Sequence, residues 1–349
     1  MDSANFKKAF ILTLLVVVSL LTCWELYLRK QGLSVDYDDG KELWADKRAM
    51  IYKPIDKATV FIGSSRNKYD IDIETWESTT GEHAILLAIE GNSPLPVLDD
   101  LANDEKFKGK LVVDVTEELF FFSSANNLAE PKEHVSYYKE RTPAQRFSFL
   151  INYLLESQFV FLDKYNFSLH GMLSKLRIPN RKDVLTRPFE YPLEAGRITF
   201  DRQNIMMEKF LVDTNLQNEV KALWVFFHNI NEELPPIGNR LDSFFTSIKK
   251  SCDKIKAKGG QVLFVRTPCS GPELTGSEKA FPRERYWNRL LNYTNCLGVH
   301  FADYHAIDHF KFPEYSHLGR PDAITFTKNI IKILEEEKGW TFQQKATFL

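Results

Sequence analysis

Thr59-Val60-Phe61-Ile62-Gly63-Ser64-Ser65-Arg66 decides the reading of this chain. Its first half is continuously apolar and β-branched or aromatic, as expected of a strand buried on both faces. Glycine then permits a sharp exit, and a serine pair follows at a helix start, where backbone N–H groups lack partners. Four further runs share that strand character: AILLAI (84–89), KLVVDV (110–115), QVLFVR (261–266) and GVHFAD (298–303). Helical patterns lie between them at 97–107, 241–257 and 284–291. The clearest closes the chain: Ile324, Thr327, Ile331 and Leu334 repeat at helical spacing, with Lys328, Lys332 and Glu335 on other faces. Strand and helix in alternation predict a doubly wound α/β fold around a central parallel sheet.

Residues 117–240 leave that rhythm. They hold Phe120-Phe121-Phe122, an amphipathic segment at 146–161, a basic stretch at 175–187 and the apolar run 225–230. We read a mostly helical insertion between the third and fourth strands, over the carboxyl edge of the sheet; its apolar surface could cap the site or dock a membrane protein, with inward packing as the ordinary expectation. The core then divides into 57–116 and 241–337, followed by a short tail, 338–349.

Ahead of the core, Ala9 to Trp24 is an uncharged apolar run preceded by Lys7 and Lys8. With Leu26, Tyr27 and Leu28 it reaches the roughly 20 residues that cross a bilayer. Trp24 and Tyr27 stand at one end, where amphipathic rings favour the headgroup layer. No small-x-small cleavage site follows, so residues 1–30 read as a retained anchor and 31–56, polar and without sustained period, as a stalk. Lys7 and Lys8 nearly balance Arg29 and Lys30; the preferred orientation places residues 1–8 inside and the bulk outside.

The overall charge, 45 basic against 47 acidic residues, leaves no broad electrostatic footprint for nucleic acid. Cys23, Cys252, Cys269 and Cys296 show no zinc framework. They read as small apolar fillers, although Cys269 and Cys296 could pair in an oxidising compartment.

Near the far end, Glu314-Tyr315-Ser316-His317-Leu318 precedes the last helix. Serine is a weak nucleophile until a base takes its proton, and His317 is the candidate base. Glu314 is spaced to hold the other ring nitrogen, and amides at the helix start can hold an oxyanion. A G-x-S-x-G elbow is absent, since Asn67 occupies its second glycine position. No lysine stands at P-loop spacing either. Taken alone, Gly63-Ser64-Ser65 reads first as a plain helix N-cap. Arg266 ends the fourth strand, where parallel sheets place ligand contacts, although a structural salt bridge explains it as well. His305 and His309, with Asp303, Asp308, Glu314 and His317 nearby, could sketch a metal site. They match no ligand pattern, and no metal or other cofactor is assigned. His83, His134, His170, His228 and His300 receive no role.

These residues resemble the SGNH (GDSL-like) hydrolase superfamily. Its first block, Gly-Asp-Ser, reads here Gly63-Ser64-Ser65; its last, Asp-x-x-His, reads Glu314-Tyr315-Ser316-His317. Its second block supplies a glycine amide, matched by Gly91 in Ile89-Glu90-Gly91-Asn92-Ser93. The resemblance covers residues 57–116 and 258–336 and implies a three-layer flavodoxin-like fold. Gly-Ser-Ser-Arg with Tyr69-Asp70-Ile71 behind an anchor is most similar to the membrane-anchored extracytoplasmic branch working beside multi-span O-acyltransferases. That likeness implies Ser65, His317 and Glu314 as catalytic residues and Ser65 and Gly91 amides as oxyanion donors. It implies an acylated cell-surface polysaccharide as substrate, acetyl being the first expectation, and serine esterase or O-acyltransferase activity. Two departures stand out. The Gly-x-Asn-Asp block reads Asp114-Val115-Thr116-Glu117, leaving Asn92, Arg66 or Arg266 to replace its asparagine, and glutamate replaces aspartate at 314. The alternative expectation is therefore a catalytically inactive partner or scaffold of a multi-span membrane acyltransferase.

Overall fold

A computed structural model describes residues 3–52, 58–122, 124–176, 191–230 and 233–342. Two compact units emerge, one of Met1–Asp38 with Pro143–Arg181, the other of Asp39–Thr142 with Lys182–Leu349.

The larger unit is α/β. Strands β1 (Ala58–Ile62), β2 (His83–Leu86) and β3 (Lys110–Asp114) form one half of a parallel sheet. A short antiparallel pair follows, β4 (Arg197–Ile198) with β5 (Asn204–Ile205). Strands β6 (Gln261–Arg266) and β7 (Leu297–His300) complete the sheet, whose order is β2-β1-β3-β6-β7. Side chains alternate along each strand. Val60, Ile62, Leu111, Val113 and Phe264 meet the helices Lys41–Met50, Leu95–Asn103, Gly238–Ala257 and Trp287–Thr294 on one face. Phe61, Val112, Leu263, Val265 and Val299 meet Ile73–Thr80 and Arg320–Glu336 on the other. Both faces are covered, which is why the strands read as nearly unbroken apolar runs. Trp76 is fully buried with its ring edge-on to Phe61 at 4.9 Å, so truncating it to alanine would cost roughly 3–5 kcal/mol.

The stalk reading needs correction. Within 31–56, Lys41–Met50 is a helix built into this core, with Leu43, Trp44 and Ala45 buried. Trp44 Nε1 donates to the Leu87 carbonyl at 3.0 Å. Lys47 and Arg48 are buried too, and Arg48 is held by Asp100 and Asp104. Two cations on the inward face hid its helical stripe. Positions 53–56 lie outside the described residues.

Residues between β3 and β6 are divided between the units. Phe120, Phe121 and Phe122 pack inward against Phe244, Phe264 and Phe281. Residues 143–176 belong instead to the smaller unit, and its helix Pro143–Glu156 buries no side chain. Most of the basic stretch, from 177 onward, falls outside the described residues.

In the smaller unit the helix Ser3–Lys30 contains Asn5–Lys30, whose most apolar 18 residues have mean hydropathy 2.2, long and apolar enough to cross a membrane. Near its end the Glu25 carboxylate accepts from the Val160 and Phe161 amides at 3.0 and 3.1 Å. Arg29 bonds Glu25 at 2.7 Å and the Gln158 carbonyl at 2.8 Å.

All four cysteines are free, so Cys269 and Cys296 do not pair. The sulfur beside Cys296 is that of Cys252, while Cys269 lies against Arg266.

Candidate active site

β1 runs out at Gly63, and the turn passes against the end of β3. A Cβ on Gly63 would sit 2.4 Å from Asp114 Cβ, so only glycine lets the chain through here. Ser64 Oγ donates to Asp114 Oδ2 at 2.9 Å and lies 2.8 Å from Thr116 Oγ1. The same oxygen accepts the Arg66 N–H, capping the helix Ser65–Asp70. The serine pair is thereby divided: Ser64 caps, and Ser65 at the first helical position keeps its hydroxyl for other work. Its N–H has no intrahelical acceptor at that position.

That hydroxyl points at His317, with Ser65 Oγ 2.8 Å from Nε2. On the other side of the ring, Nδ1 is 2.6 Å from Glu314 Oε1, which also accepts the His317 backbone N–H at 2.9 Å. An ionised Glu314 can only accept, so Nδ1 carries the proton and Nε2 presents its lone pair to serine. Both Glu314 and His317 are fully buried. Trp224 Nε1 donates to Glu314 Oε2, using the lone pairs the histidine leaves open. Tyr69 stacks on the imidazole at 4.3 Å and Trp224 meets it edge-on at 5.7 Å. The ring is thus fixed in orientation and shielded from water.

Two titrations are displaced. Burial pushes the His317 pKa down, but the facing Glu314 carboxylate overcomes it and holds the imidazole above its ordinary value. Asp70 is buried beside them, its Oδ1 accepting from the Leu318 N–H at 3.0 Å. Burial pushes its carboxyl up to about 7, against the pull of His317.

The remaining candidates fall into place unevenly. Ile89 N–H donates to the Gly63 carbonyl at 3.0 Å, bringing the end of β2 alongside the serine turn. Gly91 lies two residues further on, exposed, with a left-handed φ of 64°. The Asn92 side-chain amide is engaged elsewhere, donating to the Glu90 carbonyl at 2.7 Å and to Glu130 at 2.8 Å. Arg266 is a structural cation here: it pairs with Glu117 at 2.6 Å and reaches Ser277 and Cys269. Arg66 is buried, donates from Nε to Ser316 Oγ at 3.2 Å, and keeps one guanidinium nitrogen without a partner. Of the three cations and amides considered for the asparagine's role, only Arg66 retains a free donor. Residues 114–117, where a second oxyanion donor was expected, instead make contacts to Ser64 and Arg266.

Sequence reasoning gave no role to Tyr69, Asp70 or Trp224. Tyr69 and Asp70 follow the serine by four and five residues, which one helical turn brings back toward it. Trp224 sits 90 residues from Glu314 and carries no local signal. Its helix, Thr214–Ile230, also walls an open groove of about 510 Å³ lined by Lys221, Val225, Phe226, Asn229 and Tyr315. Tyr315 stands within the Glu314–His317 loop at a left-handed φ of 79°, its carbonyl held by the Ser270 N–H at 2.8 Å.

His305, Asp308 and His309 cluster at the surface, Asp308 Oδ1 lying 3.2 and 2.9 Å from the two Nδ1 atoms. Glu314 and His317 take no part in that cluster, and Asp303 pairs with Arg283. Comparison with protein-family models and with curated proteins finds no match for this chain.

Proposed function

We propose that this chain is a membrane-anchored, extracytoplasmic serine esterase or O-acyltransferase of the SGNH type, acting on acyl esters of a cell-surface polysaccharide. The observation that carries the reading is the continuous Ser65–His317–Glu314 relay at 2.8 and 2.6 Å. The strand order supports the flavodoxin-like assignment. β1 lies between β2 and β3, so the winding reverses there, and the nucleophile sits at that switch point on the carboxyl edge.

Ser65 Oγ attacks the acyl carbonyl as His317 Nε2 takes its proton. The tetrahedral oxyanion forms beside the Ser65 and Gly91 amides. Collapse releases the sugar alcohol, which leaves with the proton from Nε2, and the acyl group stays on Ser65. Water or a sugar hydroxyl then gives its proton to Nε2 and attacks the acyl-serine. A free acid or a new ester departs, and Ser65 is restored. Glu314 holds the tautomer throughout. In the transferase form, a multi-span membrane acyltransferase supplies the acyl group. An intact, fully hydrogen-bonded triad speaks for chemistry over an inert scaffold. No step requires a cofactor.

The test is labelling of the detergent-solubilised full-length chain by a fluorophosphonate probe. Stoichiometric labelling is expected, abolished in Ser65→Ala, where the labelled oxygen is gone, and slowed about 10²–10⁴-fold in His317→Ala. A folded wild type that takes up no label would exclude an activated serine.

A further inference from the structure

The smaller unit carries an amphipathic helix turned the wrong way for a water-soluble surface. In Pro143–Glu156, Phe147, Leu150, Ile151, Leu154 and Leu155 recur at i, i+3, i+4, i+7 and i+8, and all five are exposed. The opposite side carries Gln145, Ser148, Asn152 and Glu156. Inward contacts come instead from between the two: Tyr153 stacks on Tyr37 at 5.9 Å. A second stripe follows, Leu169, Met172, Leu173 and Leu176, again at helical spacing and from 52 to 74% exposed. A patch of that size on a soluble domain marks something that covers it.

What covers it is indicated by where the segment is tied. The Val160 and Phe161 amides are bound to Glu25, Gln158 to Arg29, and Phe167 packs against Trp24. All three anchor points stand at the terminal turns of the long apolar helix, beside the Trp24–Tyr27 ring pair. A span of about 20 residues from position 9 reaches the headgroup layer there. We propose that residues 143–176 lie in the membrane–water interface on that side, the two stripes inserted into the lipid as a collar around the base of the anchor. The proposal rests on Asn5–Lys30 crossing the bilayer. Lipid is favoured over a protein partner because these hydrogen bonds fix the stripes at lipid depth whether or not another protein is present.

The experiment uses the full-length chain with its four cysteines replaced by serine, reconstituted into phosphatidylethanolamine–phosphatidylglycerol vesicles. An environment-sensitive fluorophore is attached in turn at Leu154→Cys, Leu173→Cys, Ser148→Cys and, within the span, Val17→Cys. Lipids bearing a quencher at a shallow or a deep chain position report depth. Labels at 154 and 173 should be blue-shifted and lose emission mainly to the shallow quencher; 17 should lose it to the deep one, and 148 to neither. Water-like, unquenched emission at 154 and 173 with 17 still quenched would overturn the collar and leave the span standing. A blue shift without quenching would also overturn it, in favour of a protein-covered surface. An unquenched label at 17 would remove the span and the collar together.

Discussion

Glu314 and burial pull the His317 pKa in opposite directions, and the carboxylate wins. The consequence is a sign that can be measured. Nε2 accepts a proton only when the ring is neutral, so the acid limb of fluorophosphonate labelling should lie above the ordinary histidine value. Glu314→Gln removes the charge and leaves the burial, so the limb should move to lower pH while the plateau rate falls, because an amide can support the wrong tautomer. A limb that stays in place would mean another group sets it. Asp70 supplies a second test. Its carboxyl is raised from 3.8 to about 7, so the native state resists ionising it. That penalty is absent below the unfolded pKa, grows as pH rises through the interval, and is complete above about 7. Asp70→Asn should therefore raise the melting temperature more at pH 8 than at pH 4, and an equal shift at both would refute the assignment. Ser65, Glu314 and His317 were legible from sequence because each lies in a short block whose spacing carries its geometry. Trp224 was not, since its bond to Glu314 exists only once the helix Thr214–Ile230 has packed.

At the scale of elements, the five sheet strands were legible because burial on both faces leaves little but apolar residues. Their register along one another was not, and register is what sets the site. Ile62 aligns with Val113, so Gly63 meets the end of β3 at Asp114, and Ser64 is captured by Asp114 and Thr116. Gly63→Ala should push the turn off β3, costing roughly 1–3 kcal/mol in urea unfolding and slowing the labelling of Ser65 out of proportion to the folded fraction. Unchanged labelling of the folded protein would show that the turn does not position the serine. The helix Lys41–Met50 escaped a periodicity reading for an opposite reason: Lys47 and Arg48 occupy its inward face, satisfied by Asp201, Asp100 and Asp104. A pattern of apolar residues cannot report a face whose charges are paired. Nor could it say that Pro143–Glu156 turns its stripe outward, because amphipathicity fixes that a helix has two faces and leaves open which one meets the protein.

For the whole molecule, the proposed orientation is what a protease can test. Lys7 and Lys8 precede the apolar run and are exposed, whereas Arg29 is paired with Glu25 and bonded to the Gln158 carbonyl. The orientation we propose keeps the amino terminus inside and the unit that carries Ser65 outside. A polysaccharide ester at the cell surface would then face Ser65 without crossing the membrane. In right-side-out vesicles, protease added from outside should degrade the domain beyond residue 30, and in inside-out vesicles it should spare it. Replacing Lys7 and Lys8 with asparagine should convert full accessibility into a mixture, because the remaining cations at Arg29 and Lys30 would then favour the reverse insertion. A wild-type domain shielded in right-side-out vesicles would place the serine on the cytoplasmic side, and the surface glycan would no longer be a possible substrate.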